Sequence, residues 1–121
     1  PHEQSLLLKA LQERQIEGVV FLSGDRHITE LLRRQPEDFY PIYEFTNSPL
    51  TAGAGSGSAN PNRVDGTLVE QRNFGTLTVR GPREDRVLTL RTFDADGTRL
   101  WERSIRAQAL TVPDGTDDGE E

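Results

Sequence analysis

The 121-residue chain has no cysteine and no methionine, a single tryptophan, and an aromatic content of only 7%. Without cysteine there are no disulfides and no thiolate metal sites, while the compartment stays open because secreted chains without cysteine are common. The missing methionine marks Pro1 as the expected processed or cut end of a longer chain. Hydrophobic residues make up 33%, below the about 45–50% of an average domain counted with glycine, so part of the chain is expected to be loop or tail. No apolar run approaches the ~20 residues of a membrane-spanning helix. The opening Pro1-His2-Glu3 also lacks the charged and apolar regions of a signal peptide, and His2 reads as an end residue. A basic surplus is absent as well: 14 Lys and Arg stand against 20 Asp and Glu, a net charge of −6. Such a chain repels a nucleic-acid backbone, and its arginines are scattered instead of forming a stripe with interleaved aromatics, so nucleic acid is not an expected partner.

The length fits one domain that buries roughly 65% of its unfolded surface. From Gln4 to Ile16, Leu7, Leu8, Ala10 and Leu11 recur at helical spacing against Lys9, Gln12, Glu13 and Arg14, the pattern of an amphipathic helix. Gly18 interrupts, and Val19 to Leu22 form a short apolar run of the kind expected of a strand covered on both faces. Ile28 to Arg34 carries Leu31 and Leu32 and has room for two helical turns before Pro36. Tyr40 to Thr46 has strand composition, with Pro41 confined to an edge or first position. Thr51 to Gly66 is glycine-rich and almost free of large apolar groups, a long loop.

Three strands are expected next, over Phe74 to Arg80, Arg86 to Phe93 and Thr98 to Ile105. Gly81-Pro82-Arg83-Glu84-Asp85 and Asp94-Ala95-Asp96-Gly97 supply the turns of a meander. Leu77 and Val79, and Leu88 and Leu90, alternate with polar residues, which predicts one buried face. Trp101 is the expected core anchor. The fold class is α+β: an N-terminal helix and buried strand followed by a mainly antiparallel sheet. Residues 1–110 form the domain, and the acidic residues 111–121 a disordered tail.

The chemistry concentrates after the first strand, in Gly24-Asp25-Arg26-His27. Loops leaving the carboxyl ends of strands are where α/β sheets bind ligands. Asp25 supplies a hard oxygen and His27 an imidazole nitrogen, a pair that suits zinc, manganese or iron. Gly24 permits a sharp turn or a close approach, and Arg26 carries a fork suited to a phosphate oxygen. The structural reading of the same residues makes Asp25 the N-cap of a helix from Ile28 and Arg26 a surface ion pair. His27 and Glu30, three apart, could join Asp25 in a mononuclear site, against the commoner case of a solvated Glu30. No Gly-Lys-Ser/Thr follows the Gly53 to Asn60 stretch, so a P-loop is not expected. Asn47, Asn60 and Asn73 could touch substrate, although turn and cap roles are commoner.

Ser23-Gly24-Asp25-Arg26-His27-Ile28-Thr29-Glu30-Leu31, preceded by its helix and strand, resembles the last metal-binding motif of PhoD-like alkaline phosphatases in the calcineurin-like metallophosphoesterase superfamily. The order Phe45-Thr46-Asn47-Ser48-Pro49-Leu50-Thr51, Asn60-Pro61-Asn62-Arg63 and Asn73-Phe74-Gly75 is similar to that family's C-terminal order, and the likeness runs from Leu6 to about Ile105. The superfamily's final Gly-His-x-His is matched by Gly24-Asp25-Arg26-His27, with aspartate for the first histidine as PhoD-like members have it. The resemblance implies the C-terminal part of an αββα sandwich, with Asp25 and His27 as metal ligands and Arg26 a weaker catalytic candidate. It also implies hydrolysis of phosphate esters, as a phosphatase or phosphodiesterase, at a dinuclear centre of iron with calcium, zinc or manganese being possible. It further suggests an exported protein.

The superfamily's earlier motifs, Asp-x-His, Gly-Asp and Gly-Asn-His, have no match before Gly24. The implied partners are therefore a phosphate-ester substrate and the N-terminal part of the same protein, and the 121-residue chain is expected to be inactive alone. Such a piece should expose apolar surface and could form a homo-oligomer through it. The competing expectation is a non-catalytic β-rich binding or assembly module in which Gly24 to His27 is only a turn.

Overall fold

The computed structural model describes residues 2–24, 27–48 and 59–113. The fold is α+β: one N-terminal helix and two three-stranded sheets, so the fold class matches the expectation. The loop expected over residues 51–66 is described only from residue 59. Of the tail expected over residues 111–121, residues 114–121 lie outside the described residues.

Helix α1 (His2–Arg14) buries Leu11 and half-buries Leu8, a pair three residues apart, while Leu6 and Leu7 face outward. Gln15, at φ 51°, ends the helix. The Gln15 N–H donates to the Gln12 carbonyl at 3.3 Å and that of Ile16 to the Leu11 carbonyl at 3.0 Å. This is a Schellman cap with glutamine where glycine usually stands.

The first sheet has the order β1-β3-β2, with β1 Val20–Ser23, β2 Glu30–Arg34 and β3 Ile42–Thr46. Strand β3 lies parallel to β1 and antiparallel to β2, so the connection from β1 to β2 crosses the carboxyl end of β3. Residues 30–34 are a strand where the spacing suggested a helix. Leu31 and Leu32 point to opposite faces of the sheet and both are buried, so tertiary pairing overrides a weak helical preference. The strand covered on both faces is thus β2. Strand β1 sits at an edge, and Leu22 remains 59% exposed.

The outer edge of β2 is covered by the last residues of the stretch expected as a long loop and by those that follow it. Val64 N–H donates to the Leu31 carbonyl at 2.8 Å, Arg33 N–H to the Asn62 carbonyl at 2.8 Å, and Thr29 exchanges two bonds with Val69. Among the described residues β1 pairs with β3 alone.

The second sheet is the expected meander, β4 (Asn73–Arg80), β5 (Val87–Asp94) and β6 (Arg99–Arg106). Asp94 Oδ1 accepts from the N–H groups of Asp96 and Thr98, both at 2.9 Å, and Gly97 takes φ 89°. Leu90, Trp101 and Ile105 face the first sheet and join Leu31 and Phe45 in one core. The rings of Phe45 and Trp101 meet edge to face at 5.6 Å, and Trp101 Nε1 donates to the Thr67 carbonyl at 2.8 Å. Trp101 is the anchor its sequence position suggested.

The expected burial of Leu77 and Val79 fails. They share a face with the buried Leu90 and with Leu88, yet they are 46% and 62% exposed because β4 is an edge strand and nothing among the described residues covers it there. Together with Leu22 on β1, they leave the open side of the core apolar.

Candidate functional site at the strand ends

The parallel strands β1 and β3 end side by side, and the Asn47 N–H donates to the Ser23 carbonyl at 3.0 Å, one step beyond the ladder. Ser23 Oγ donates to Glu44 at 2.7 Å and lies 2.8 Å from Thr46 Oγ1. The end of β1 is therefore fixed by three polar side chains on one face of the sheet.

Of the residues expected to carry chemistry, His27 is exposed and takes φ 61°. This is the left-handed region, a conformation that costs a non-glycine residue roughly 1–2 kcal/mol. Gly24 has no left-handed φ, and a Cβ there would meet the Asn47 carbonyl oxygen at 3.5 Å, an ordinary contact. Asp25 and Arg26 lie outside the described residues. With a strand at 30–34, no helix begins at Ile28 for Asp25 to cap.

Glu30 is not solvated. Its side chain is 1% exposed, and Arg63 Nε donates to Glu30 Oε1 at 2.7 Å. The carboxylate pairs with that cation, and the strand over 30–34 removes the helical-face argument for an Asp25, His27 and Glu30 site. Among the described residues no three His, Asp or Glu side chains are grouped to hold a metal ion.

What sequence reasoning underrated is the set Thr29, Asn47, Ser48 and Asn73. Thr29 and Asn73 are buried. Thr29 Oγ1 donates to Asn73 Oδ1 at 2.7 Å, with the Ser48 carbonyl at 3.1 Å as its alternative acceptor, and it receives the Ser48 N–H at 3.1 Å. Asn47 Nδ2 donates to Asn73 Oδ1 at 3.1 Å and reaches Thr29 Oγ1 at 3.3 Å. Asn73 Nδ2 donates to the carbonyls of Gln71 at 2.8 Å and Ser48 at 3.2 Å. The sequence singles out Asn47 and Asn73 as possible substrate contacts or turn and cap residues, and nothing in it joins them to each other or to Thr29. Asn60, by contrast, serves its own turn, accepting the Asn62 N–H at 2.8 Å.

The network ties both strand-end segments to the first residue of β4. Gly75 makes this approach possible: a Cβ there would lie 2.8 Å from both Asn47 Nδ2 and the Phe45 ring. A buried polar network of this kind specifies the arrangement of the backbone it joins.

No family model matches the chain, and neither a curated protein nor a solved structure matches it. Among the described residues no helix is long and apolar enough to cross a membrane.

Proposed function

We propose that the chain is the C-terminal part of a metal-dependent phosphoric ester hydrolase of the PhoD-like kind, to which it contributes Asp25 and His27 as metal ligands. The observation that carries this reading is the Ser-Gly-Asp-Arg-His sequence at the carboxyl end of β1, beside a parallel strand ending at the same edge. That edge is where open sheets of parallel strands receive ligands. An exposed imidazole fits a metal's needs. One described nitrogen does not make a dinuclear centre, so the remaining ligands belong to the N-terminal part of the same protein. When bound, two metal ions would polarise the phosphoryl oxygens and acidify a bound water. Iron with calcium is the pairing the resemblance suggests.

The open side of the core supports the need for a covering partner: Leu22, Leu77 and Val79 are exposed, and among the described residues β1 pairs on one side only. Exposed apolar side chains on one side of a core mark an interaction face, and an edge strand invites another strand.

Two measurements test the reading. The reading frame upstream of Pro1 is expected to encode Asp-x-His, Gly-Asp and Gly-Asn-His motifs in that order, and a frame without them overturns the hydrolase assignment. The 121-residue chain alone is expected to show no metal-dependent turnover of an aryl phosphate. Robust turnover abolished by His27→Ala would instead establish a complete site within this chain and overturn the contributory role.

A further inference from the structure

The hydrogen bonds of β1 show which backbone groups stand at its open edge. The Ser23 carbonyl accepts the Asn47 N–H, so Ser23 and, two residues earlier, Phe21 turn their N–H and C=O groups toward β3. Successive residues of a strand alternate, so Val20 and Leu22 turn theirs outward, where no strand meets them among the described residues. The Gly18 N–H is taken by the Leu110 carbonyl at 2.9 Å. The free stretch therefore begins at Val20.

Apolar groups stand open on both faces of this edge. On the side of the meander, Ile105, Leu88 and Val79 form one cross-strand row whose exposure rises from 5% at Ile105 to 62% at Val79. With Val20 and Leu110 they line a groove of about 320 Å³. Leu22 and Leu77, two residues along from Val20 and Val79 and on the same faces, are exposed too. On the other side lies α1, where Ser5 and Leu8 share a cavity with Phe21 of β1, Ile42 of β3 and Leu32 of β2. At about 3.6 residues per turn, Ser5, Leu8, Leu11 and Leu7 follow one another around the helix. Leu7 thus flanks the buried stripe opposite Ser5, toward the free edge, and it is 48% exposed.

We propose that the open edge of β1 receives one strand of the same protein, parallel to β1, apolar on both faces and joined to it through α1. The proposal rests on the reading above that the protein has an N-terminal part, and it names the segment of that part that docks here. Helix α1 runs into β1 through residues 15–19 and covers one face of its sheet, the placement of the crossover that parallel neighbours need. Strand β3 fills the other side of β1, and residues 62–69 cover the outer edge of β2. A strand enclosed between a helix layer and a second sheet is apolar throughout. The overhang of both layers favours an inserted strand over a second copy of this chain, which would bring its own helix and meander to the same edge.

The test places photo-reactive benzoylphenylalanine at position 22, and separately at position 20, in the protein expressed from its whole reading frame. Capture is expected within one molecule, on the apolar run next before α1, and moving the probe from 20 to 22 should shift the captured site toward that run's carboxyl end. No capture, capture elsewhere in the protein, capture of a second copy, or a shift toward the amino end overturns the proposal. A frame with no coding sequence before Pro1 overturns it as well.

A measurement without substitution reads the edge itself. In the whole protein the Val20 and Leu22 amides are expected to exchange at least about tenfold more slowly than in the 121-residue chain, reaching the rates of Phe21 and Ser23. Free exchange at Val20 and Leu22 in the whole protein overturns the strand even if every substituted protein fails to fold. The two readings also fail separately. Upstream metal motifs with Leu22 unprotected spare the hydrolase and remove the strand, and protection without those motifs does the reverse.

Discussion

Two ion pairs of the same length serve the two sheets differently. Arg63 meets Glu30 at 2.7 Å over the first sheet, with the glutamate 1% exposed, and Arg91 meets Glu102 at 2.7 Å across β5 and β6 with both partners about one-third exposed. Geometry is equal and solvent is not. In the meander, sequence neighbours pair through tight turns, and the ion pair decorates a surface that would form without it. In the first sheet β3 must insert between two strands that precede it, and a charge is carried inside with other polar groups: Glu30, Thr29 and Thr46 are all buried. Burying them fixes register at a cost in desolvation. The meander supplies local stability, and the first sheet supplies the specified arrangement in which the candidate site stands.

The largest effect expected from this contrast follows from removing the buried carboxylate. Glu30→Ala leaves the Arg63 guanidinium mostly enclosed beside a lost partner, which should cost about 3 kcal/mol, the lower end for a broken buried pair because some water reaches Arg63. Denaturant unfolding measures it, and a loss no larger than that of an exposed pair would show that the first sheet does not depend on its buried charge. Gly75→Ala comes next. The added methyl carbon would need to displace the Phe45 ring and the Asn47 amide, each 2.8 Å away, for an overpacking cost of about 1–3 kcal/mol. A neutral Gly75→Ala would mean that β4 is not pressed against the end of β3, and the coupling of the meander to the strand-end network would be gone.

The same contrast explains which parts were legible in the sequence. The meander could be read to within a residue at most ends, because Asp94 to Gly97 and Gly81 to Asp85 are turn chemistry between alternating runs, and each strand pairs with the next. The first sheet could not. Its order depends on residues far apart in the chain, and the pair Leu31-Leu32 reads equally as one side of a short helix or both sides of a buried strand until Val64 and Asn62 are seen along its edge. Burial of Glu30 was invisible for a related reason, since its partner Arg63 lies near the far end of the glycine-rich stretch, 33 residues away. The exposure of Leu77 and Val79 was missed because alternation identifies which residues share a face without saying what covers it. At the candidate site, the motif from Ser23 to His27 stood out by composition, whereas Thr29 and Asn73 gain their meaning only from a meeting across 44 residues of chain.

The exposed pair supplies the smallest expected effect and the clearest sign. The hydrogen bond from Arg91, reinforced by the charges of Arg91 and Arg99, holds the Glu102 carboxyl below its ordinary range. A carboxylate whose folded-state pKa is depressed contributes stability that is present above its unfolded value and is lost as pH falls through its folded value. The melting temperature of the parent chain should therefore exceed that of Glu102→Gln near neutral pH, and the gap should close on acidification through the carboxylate range. Both partners are open to solvent, so added salt should shrink the neutral-pH gap as well. The Glu30 effect, arising from an enclosed pair, should survive the same salt. If salt erased both equally, burial would not be what separates the two sheets; if it spared both, the Arg91 to Glu102 pair would belong with the enclosed one, and the meander would be no less dependent on its charges than the sheet that carries the site.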